Sequence, residues 1–158
     1  MAPIAINLAG SDEQKAKYLP QIVSNETKFG VGLSEYVAAR EDAGIDLSSG
    51  KANGKALFVI DGNEADYFLL SNKGGVLFLV DAKDKGIEIT KLTSVDKTRS
   101  YLELNLKNVA AEILPGSESN PEVAKKVLDA GRIVFAADSL GASESMIEKA
   151  VSYAKERK

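Results

Sequence analysis

The 158-residue sequence contains no cysteine, no histidine and no tryptophan. Without cysteine there are no disulfides and no thiol nucleophiles. Without histidine the usual catalytic triads and almost every zinc or iron site are excluded too, so no metal site is expected. Acid–base chemistry would fall to carboxylates, lysine or tyrosine, and a catalytic chain of this composition needs a cofactor for its difficult step. Long apolar runs are also missing: none approaches the roughly 18 residues of a membrane-spanning helix. The opening MAPIAINLAG has neither a basic start nor a long apolar centre and does not read as a signal peptide. Charge is nearly balanced, with 20 Lys+Arg against 23 Asp+Glu and a formal net charge of −3. No basic stripe stands ready to release counterions from a polyanion. The expectation is a soluble, cytoplasmic protein that engages neither nucleic acid nor membrane.

What is present is the composition of an ordinary folded domain, 44% hydrophobic and 27% charged. Ser11 followed by Gln14 forms a capping-box pattern, with Asp12 and Glu13 at the positive end of the helix dipole. A short helix is predicted from about Asp12 to Leu19, ended or kinked by Pro20. From Lys28 to about Lys107, short runs rich in β-branched and aromatic residues alternate with turn residues: KFGVGLS, ALFVID, DYFLLSN, GVLFLVD, GIEITKL and SYLELNLKN. Leu102, Leu104 and Leu106 alternate with polar residues, as in a half-buried strand, whereas VLFLV is apolar on both faces and belongs in a central strand. NKGG, Asn72 to Gly75, reads as a hairpin turn. These features predict a mainly β domain with α elements, an antiparallel β-barrel or sandwich.

SSGKANGK resembles a phosphate-binding loop only superficially. Gly50 and Gly54 stand one residue too close, and Ala56 occupies the position of the magnesium-binding hydroxyl, so a strand-connecting loop is expected. After LPGSESNPEVA the period becomes helical, with Asn120 as cap and Pro121 at the first helical position. This helix continues toward the end of the chain. Ile133 to Ala137 are apolar in a row, and Leu140, Ile147, Val151 and Ala154 form a stripe. A helix this apolar needs partners on several sides, and one β domain offers a single surface. Self-association or another partner is therefore expected, and AVSYAKERK stops without a helix-ending signal, as a cut chain would.

Taken in order, GSDEQKAKYLPQI, GLSE at Gly32 to Glu35, NGKALFVIDGNEADYFLL, DKTRS at Asp96 to Ser100, and LDAGRIVFAADSLGASESMIEKAVSYAKERK resemble the acyl-CoA dehydrogenase family of flavoenzymes over the whole chain. The resemblance implies three parts: residues 1–27 as the end of an N-terminal helical domain, 28–116 as the central β-barrel domain, and 117–158 as the first helix of a C-terminal helical domain. It implies FAD as cofactor, an acyl-CoA substrate, a homo-oligomer, and an electron-transfer flavoprotein as candidate partner. The intact protein would remove hydrogens from the α and β carbons of an acyl-CoA thioester. The family's catalytic glutamate falls beyond Lys158, so no catalytic residue is assigned and the fragment itself is expected to be inactive.

By resemblance, Ser34 matches the hydroxyl residue on the pyrimidine edge of the flavin, although a strand-end serine can instead bond its own backbone. Phe58 stands where many members place a tryptophan against the flavin; a core aromatic in a strand is the alternative. Ile60 takes the place of a threonine reaching the hydride-accepting nitrogen, a contact left to backbone here. Asp129 and Arg132 match residues that approach acyl-CoA, or form a surface ion pair contributing under about 1 kcal/mol. Arg157 matches an arginine that reaches FAD across a subunit boundary, or is a solvated helix charge. Tyr36 replaces the family's proline, and VAARED lacks its Gly-Ser-Asp. These departures sustain a second reading, a non-catalytic β-domain serving as a binding or interaction module.

Overall fold

The computed structural model describes residues 1–33 and 43–157. Two helices open it: α1, Ala2–Ala9, and α2, Asp12–Val23. The first was not legible in the sequence. It buries Ile6 together with Ala2, Ala5 and Ala9, three small residues that bring its backbone close to its neighbours. The second starts on the expected capping box, with Ser11 Oγ accepting from the Gln14 N–H at 3.2 Å and Gln14 Oε1 accepting from the Ser11 N–H at 2.9 Å. It runs through Pro20 to Val23 instead of stopping at Leu19. Pro20 removes one hydrogen bond but its carbonyl still accepts from Ser24 N–H at 2.9 Å, and Leu19 and Ile22 pack on the core across the would-be break.

Among the described residues eight strands follow: β1 Phe29–Gly32, β2 Gly44–Ser48, β3 Lys51–Ile60, β4 Tyr67–Ser71, β5 Leu77–Asp81, β6 Ile87–Leu92, β7 Tyr101–Ala110 and β8 Glu112–Ile113. Their order is β6-β7-β3-β1-β4-β5-β8, with β2 also paired to β3. All pairs are antiparallel except β1 with β4, which run parallel with Phe29 opposite Tyr67. The parallel pair follows from the connection: the β2–β3 excursion between them returns the chain to the same end of the sheet. The region expected as a connecting loop, SSGKANGK, is mostly strand, with only Ser49 and Gly50 in the turn. Gly54, at φ +126°, lies so close to the Gly44 carbonyl that a Cβ would collide with it, which explains a glycine inside a strand.

Two apolar cores share the β4–β5 pair. Phe68, Leu70, Phe78 and Val80 face Val59, Leu102, Leu104 and Leu106, so the sheet curls over on itself as the barrel or sandwich expected. Leu69, Leu77 and Leu79 point the opposite way, onto α1 and α2. The short helix α3, Pro115–Ser119, is fastened by Ser117 Oγ, which accepts from the Leu77 N–H at 2.9 Å and donates to the Leu114 carbonyl at 2.7 Å. The last helix, α4, spans Glu122–Glu156, 35 residues, and the Asn120 side chain accepts the Glu122 N–H at 3.1 Å. It buries only Val123, Ala124, Val127 and Gly131, while Ile133, Val134 and Leu140 are 70%, 67% and 72% exposed. Among the described residues no helix is long and apolar enough to cross a membrane.

The seam between α2 and the sheet is polar and closed. Tyr18 is fully buried against Phe29 and Tyr67, and its hydroxyl donates to Glu112 Oε2 at 2.6 Å while accepting from Lys17 Nζ at 2.8 Å. Gln14 Nε2 donates to the other Glu112 oxygen at 2.9 Å and to the Ile113 carbonyl at 3.0 Å. Burial, then the neighbouring Glu112 carboxylate, pushes the Tyr18 phenol well above its ordinary value of 10.0. A raised folded-state value means the neutral phenol's contribution is intact below pH 10.0 and is lost as pH rises beyond it. Tyr18→Phe should lower stability by about 1.5–3 kcal/mol in urea unfolding at pH 7, the range for a hydrogen bond to a charged group. The same variant should flatten the alkaline decline in stability.

Candidate functional site

Strand β3 supplies the site's most unusual residue. Its pairing with β7 slips between Ala56 and Val59, and at the slip Phe58 adopts φ +54°. A left-handed backbone at a bulky residue costs on the order of 1–3 kcal/mol and persists only where its surroundings impose it. Leu57 and Val59 are buried on either side, so the bulge turns the Phe58 ring outward, 52% exposed. Phe58 is therefore not the core aromatic that strand alternation allowed. Asp61, three residues on, is also left-handed at φ +56°, and its N–H donates to the Ser100 carbonyl at 3.0 Å, tying the end of β3 to the β6–β7 connection.

Between these strand ends and α4 lie two adjoining clefts of about 320 and 200 Å³. Val31, Ile60, Gly131 and Phe135 line both. The narrower one adds Leu33, Phe58, Leu128 and Arg132 and, among the described residues, no carboxylate. The wider one adds Thr27, Phe29, Asp61, Arg99 and Val134. The result is an apolar slot with a guanidinium in each of its two parts. Such a slot suits a flat ring flanked by anionic or polar groups, which is the general form of a cofactor pocket.

The structure brings together Phe58, Ile60 and Arg132 of the residues singled out in the sequence. Asp129 joins them through Arg132, whose Nη1 donates to its Oδ1 at 2.9 Å across one helical turn. Both partners are largely exposed, at 61% and 47% of the side chain, so the pair adds little stability. Arg157 is not part of this group: it caps the far end of α4, about 37 Å along the helix from Arg132 at 1.5 Å per residue, and is exposed. Ser34, Tyr36 and VAARED lie outside the described residues. Sequence reasoning missed Val31, Arg99 and Phe135 as site residues. DKTRS was noticed as a family feature, but nothing in its pattern says that Arg99 reaches a helix more than thirty residues away.

Because Phe58 is exposed, Phe58→Ala should change unfolding free energy by no more than about 0.5 kcal/mol, as surface substitutions do. Phe68→Ala, which empties a fully buried site in the same sheet, should cost about 3–5 kcal/mol. Urea denaturation of the two variants side by side measures the contrast.

No protein-family model matches the chain. Among curated proteins it is 32% identical to the short-chain-specific acyl-CoA dehydrogenase of Clostridium acetobutylicum, over 97% of this chain and 45% of that protein. In structure it superposes on butyryl-CoA dehydrogenase from Megasphaera elsdenii with a TM-score of 0.82 at 23% identity, covering 99% of this chain and 46% of that one. It superposes equally on a chain from the structure of the electron transferring flavoprotein of Acidaminococcus fermentans, with a TM-score of 0.81 at 27% identity over 99% and 46%. The chain spans about half the length of the curated relatives it matches. With that fold, that order of matching segments and an apolar slot at the end of the β domain, the chain belongs, over the span it covers, to the acyl-CoA dehydrogenase family.

Proposed function

We propose that the slot between the sheet and α4 is where FAD and an acyl-CoA thioester meet, and that the intact cytoplasmic protein carries out α,β-dehydrogenation of the thioester. The observation that carries this reading is Phe58: a strained, outward-turned ring on the wall of an apolar slot that α4 closes. In this reading residues 1–27, 28–116 and 117–158 are the end of a helical domain, a β domain and the start of a second helical domain. Phe58 lies against the flavin, Ile60 offers its backbone, and Ser34 bonds the pyrimidine edge. Asp129 and Arg132 receive the CoA portion, and Arg157 serves the cofactor of a second subunit.

Bound FAD would supply the hydride acceptor that the side chains lack. The chain's own contribution is to position the ring, to keep water from it with Val31, Leu33 and Ile60, and to neutralise CoA charge through Arg132. In this reading the base that removes the α proton is not assigned among the described residues, and the chain by itself is inactive. The exposed Ile133, Val134, Leu140, Ile147 and Val151 suit burial in further helices or a second copy. An electron-transferring flavoprotein is the electron acceptor that the comparisons favour.

A second reading, a β-domain that binds without catalysing, is favoured by Ile60, which has no hydroxyl for the flavin. Both readings are tested by titrating FAD with the chain and following flavin fluorescence. Quenching that Phe58→Ala weakens about tenfold, or 1.4 kcal/mol, is expected from loss of an aromatic stack. Unquenched flavin at every protein concentration sinks the first reading. Bleaching of the flavin by an acyl-CoA in the intact protein separates dehydrogenase from binding module.

A further inference from the structure

Arg99 occupies the β6–β7 connection and is the polar link between α4 beyond Gly131 and the sheet among the described residues. Its guanidinium carbon lies 4.6 Å from the centroid of the Phe135 ring, and Nη2 donates to Asp138 Oδ2 at 2.9 Å. Phe135 and Asp138 are three residues apart and so share a helix face. A planar guanidinium can stack on one and bond the other at once, which an ammonium cannot. The connection that carries Arg99 is itself held. Asp96 Oδ1 accepts from Thr98 N–H at 2.8 Å and from its hydroxyl at 2.6 Å, while Ser100 accepts the Asp61 N–H. Asp96 also approaches Arg99 Nε at 4.0 Å.

A continuous path thus runs from Ile60 through Asp61, Ser100 and Arg99 to Phe135, from one wall of the slot to the other. Phe135 lines both clefts and is 38% exposed, whereas the neighbouring Ile133 and Val134 are 70% and 67% exposed. Among the described residues, this helix turn is therefore held down where Arg99 reaches it. We propose that Arg99 is a positioning residue: by stacking on Phe135 and pairing with Asp138 it sets the width of the slot between β3 and α4. The ligand's identity rests on the flavin reading above; the strap does not.

The absence of tryptophan makes the test direct, because Phe135→Trp introduces the chain's sole indole at the strap. Acrylamide quenching and emission maximum are compared for F135W alone and combined with R99A, R99K or D138N, each at low salt and in 1 M NaCl. Arg99→Ala should raise the quenching constant about twofold and shift emission to the red. Asp138→Asn and high salt should move both the same way by less, since an exposed ion pair is screened. Arg99→Lys should fall between, keeping the charge and losing the flat face. Far-UV circular dichroism verifies that all variants are folded, and the salt arm reads the link with the side chain in place.

An indole unaffected by R99A, R99K, D138N and salt overturns the proposal. In the otherwise unaltered chain, Arg99→Ala should weaken FAD binding about fivefold and Arg99→Lys should restore part of it. Flavin affinity unchanged by R99A overturns the positioning role. If the unaltered chain binds no flavin while the indole responds, the strap is supported and the flavin reading is what fails.

Discussion

A pair of strands buried on both faces is the constraint from which the architecture follows. β4 and β5 carry no polar face to give to water: Phe68, Leu70, Phe78 and Val80 fill one side, Leu69, Leu77 and Leu79 the other. One layer of structure cannot cover both sides, so the chain needs helices on one and a folded-over sheet on the other. The helices α1 and α2 meet the first demand, and β3 with β7 meets the second. The polar seam at Tyr18, Glu112 and Gln14 then fixes where the helices sit, because each of its buried groups has a partner only in that arrangement.

The slot arises where this plan leaves strand ends unfinished. β1 contributes Val31, the bulge in β3 turns out Phe58 and leaves Ile60 on the rim, and α4 crosses above at Gly131. Gly131 permits that crossing, since a Cβ there would press on the Met1 side chain. The site therefore joins three stretches widely separated in sequence, and none of them has a packing reason to present its apolar atoms to solvent.

Legibility from sequence divided along physical lines. Strands β4, β5 and β7 announced themselves because long β-branched and leucine runs have few other uses, and the α2 capping box is local chemistry that tertiary structure did not override. α1 was invisible because its buried face is, apart from Ile6, built of alanines, which a hydrophobic pattern cannot tell from filler. Pro20 was read as an end or a kink because its lost hydrogen bond is local, whereas the packing of Leu19 and Ile22 that carries the helix past it is not. β8, at two residues, is too short to show a period, and β2, as long as β4, carries only Ile45 and Leu47 as apolar residues. Phe58, Ile60, Arg132 and Asp129 were reached through family resemblance and do lie together. Arg99 could not be found that way, since its meaning depends on a helix crossing that sequence spacing does not encode.

The parallel pairing of β1 with β4 carries a consequence for how the molecule is assembled. Among the described residues the partners of β1 lie far along the chain, at Ile60 in β3 and from Tyr67 in β4. The β2–β3 hairpin and the β4–β5 hairpin close over short loops and can form on their own, while β1 must wait for both and then bear the entropy of closing a long loop. The wall that bears Val31 is accordingly among the last parts to be secured during folding. A nascent chain released too early would have its hairpins in place and its slot still unmade.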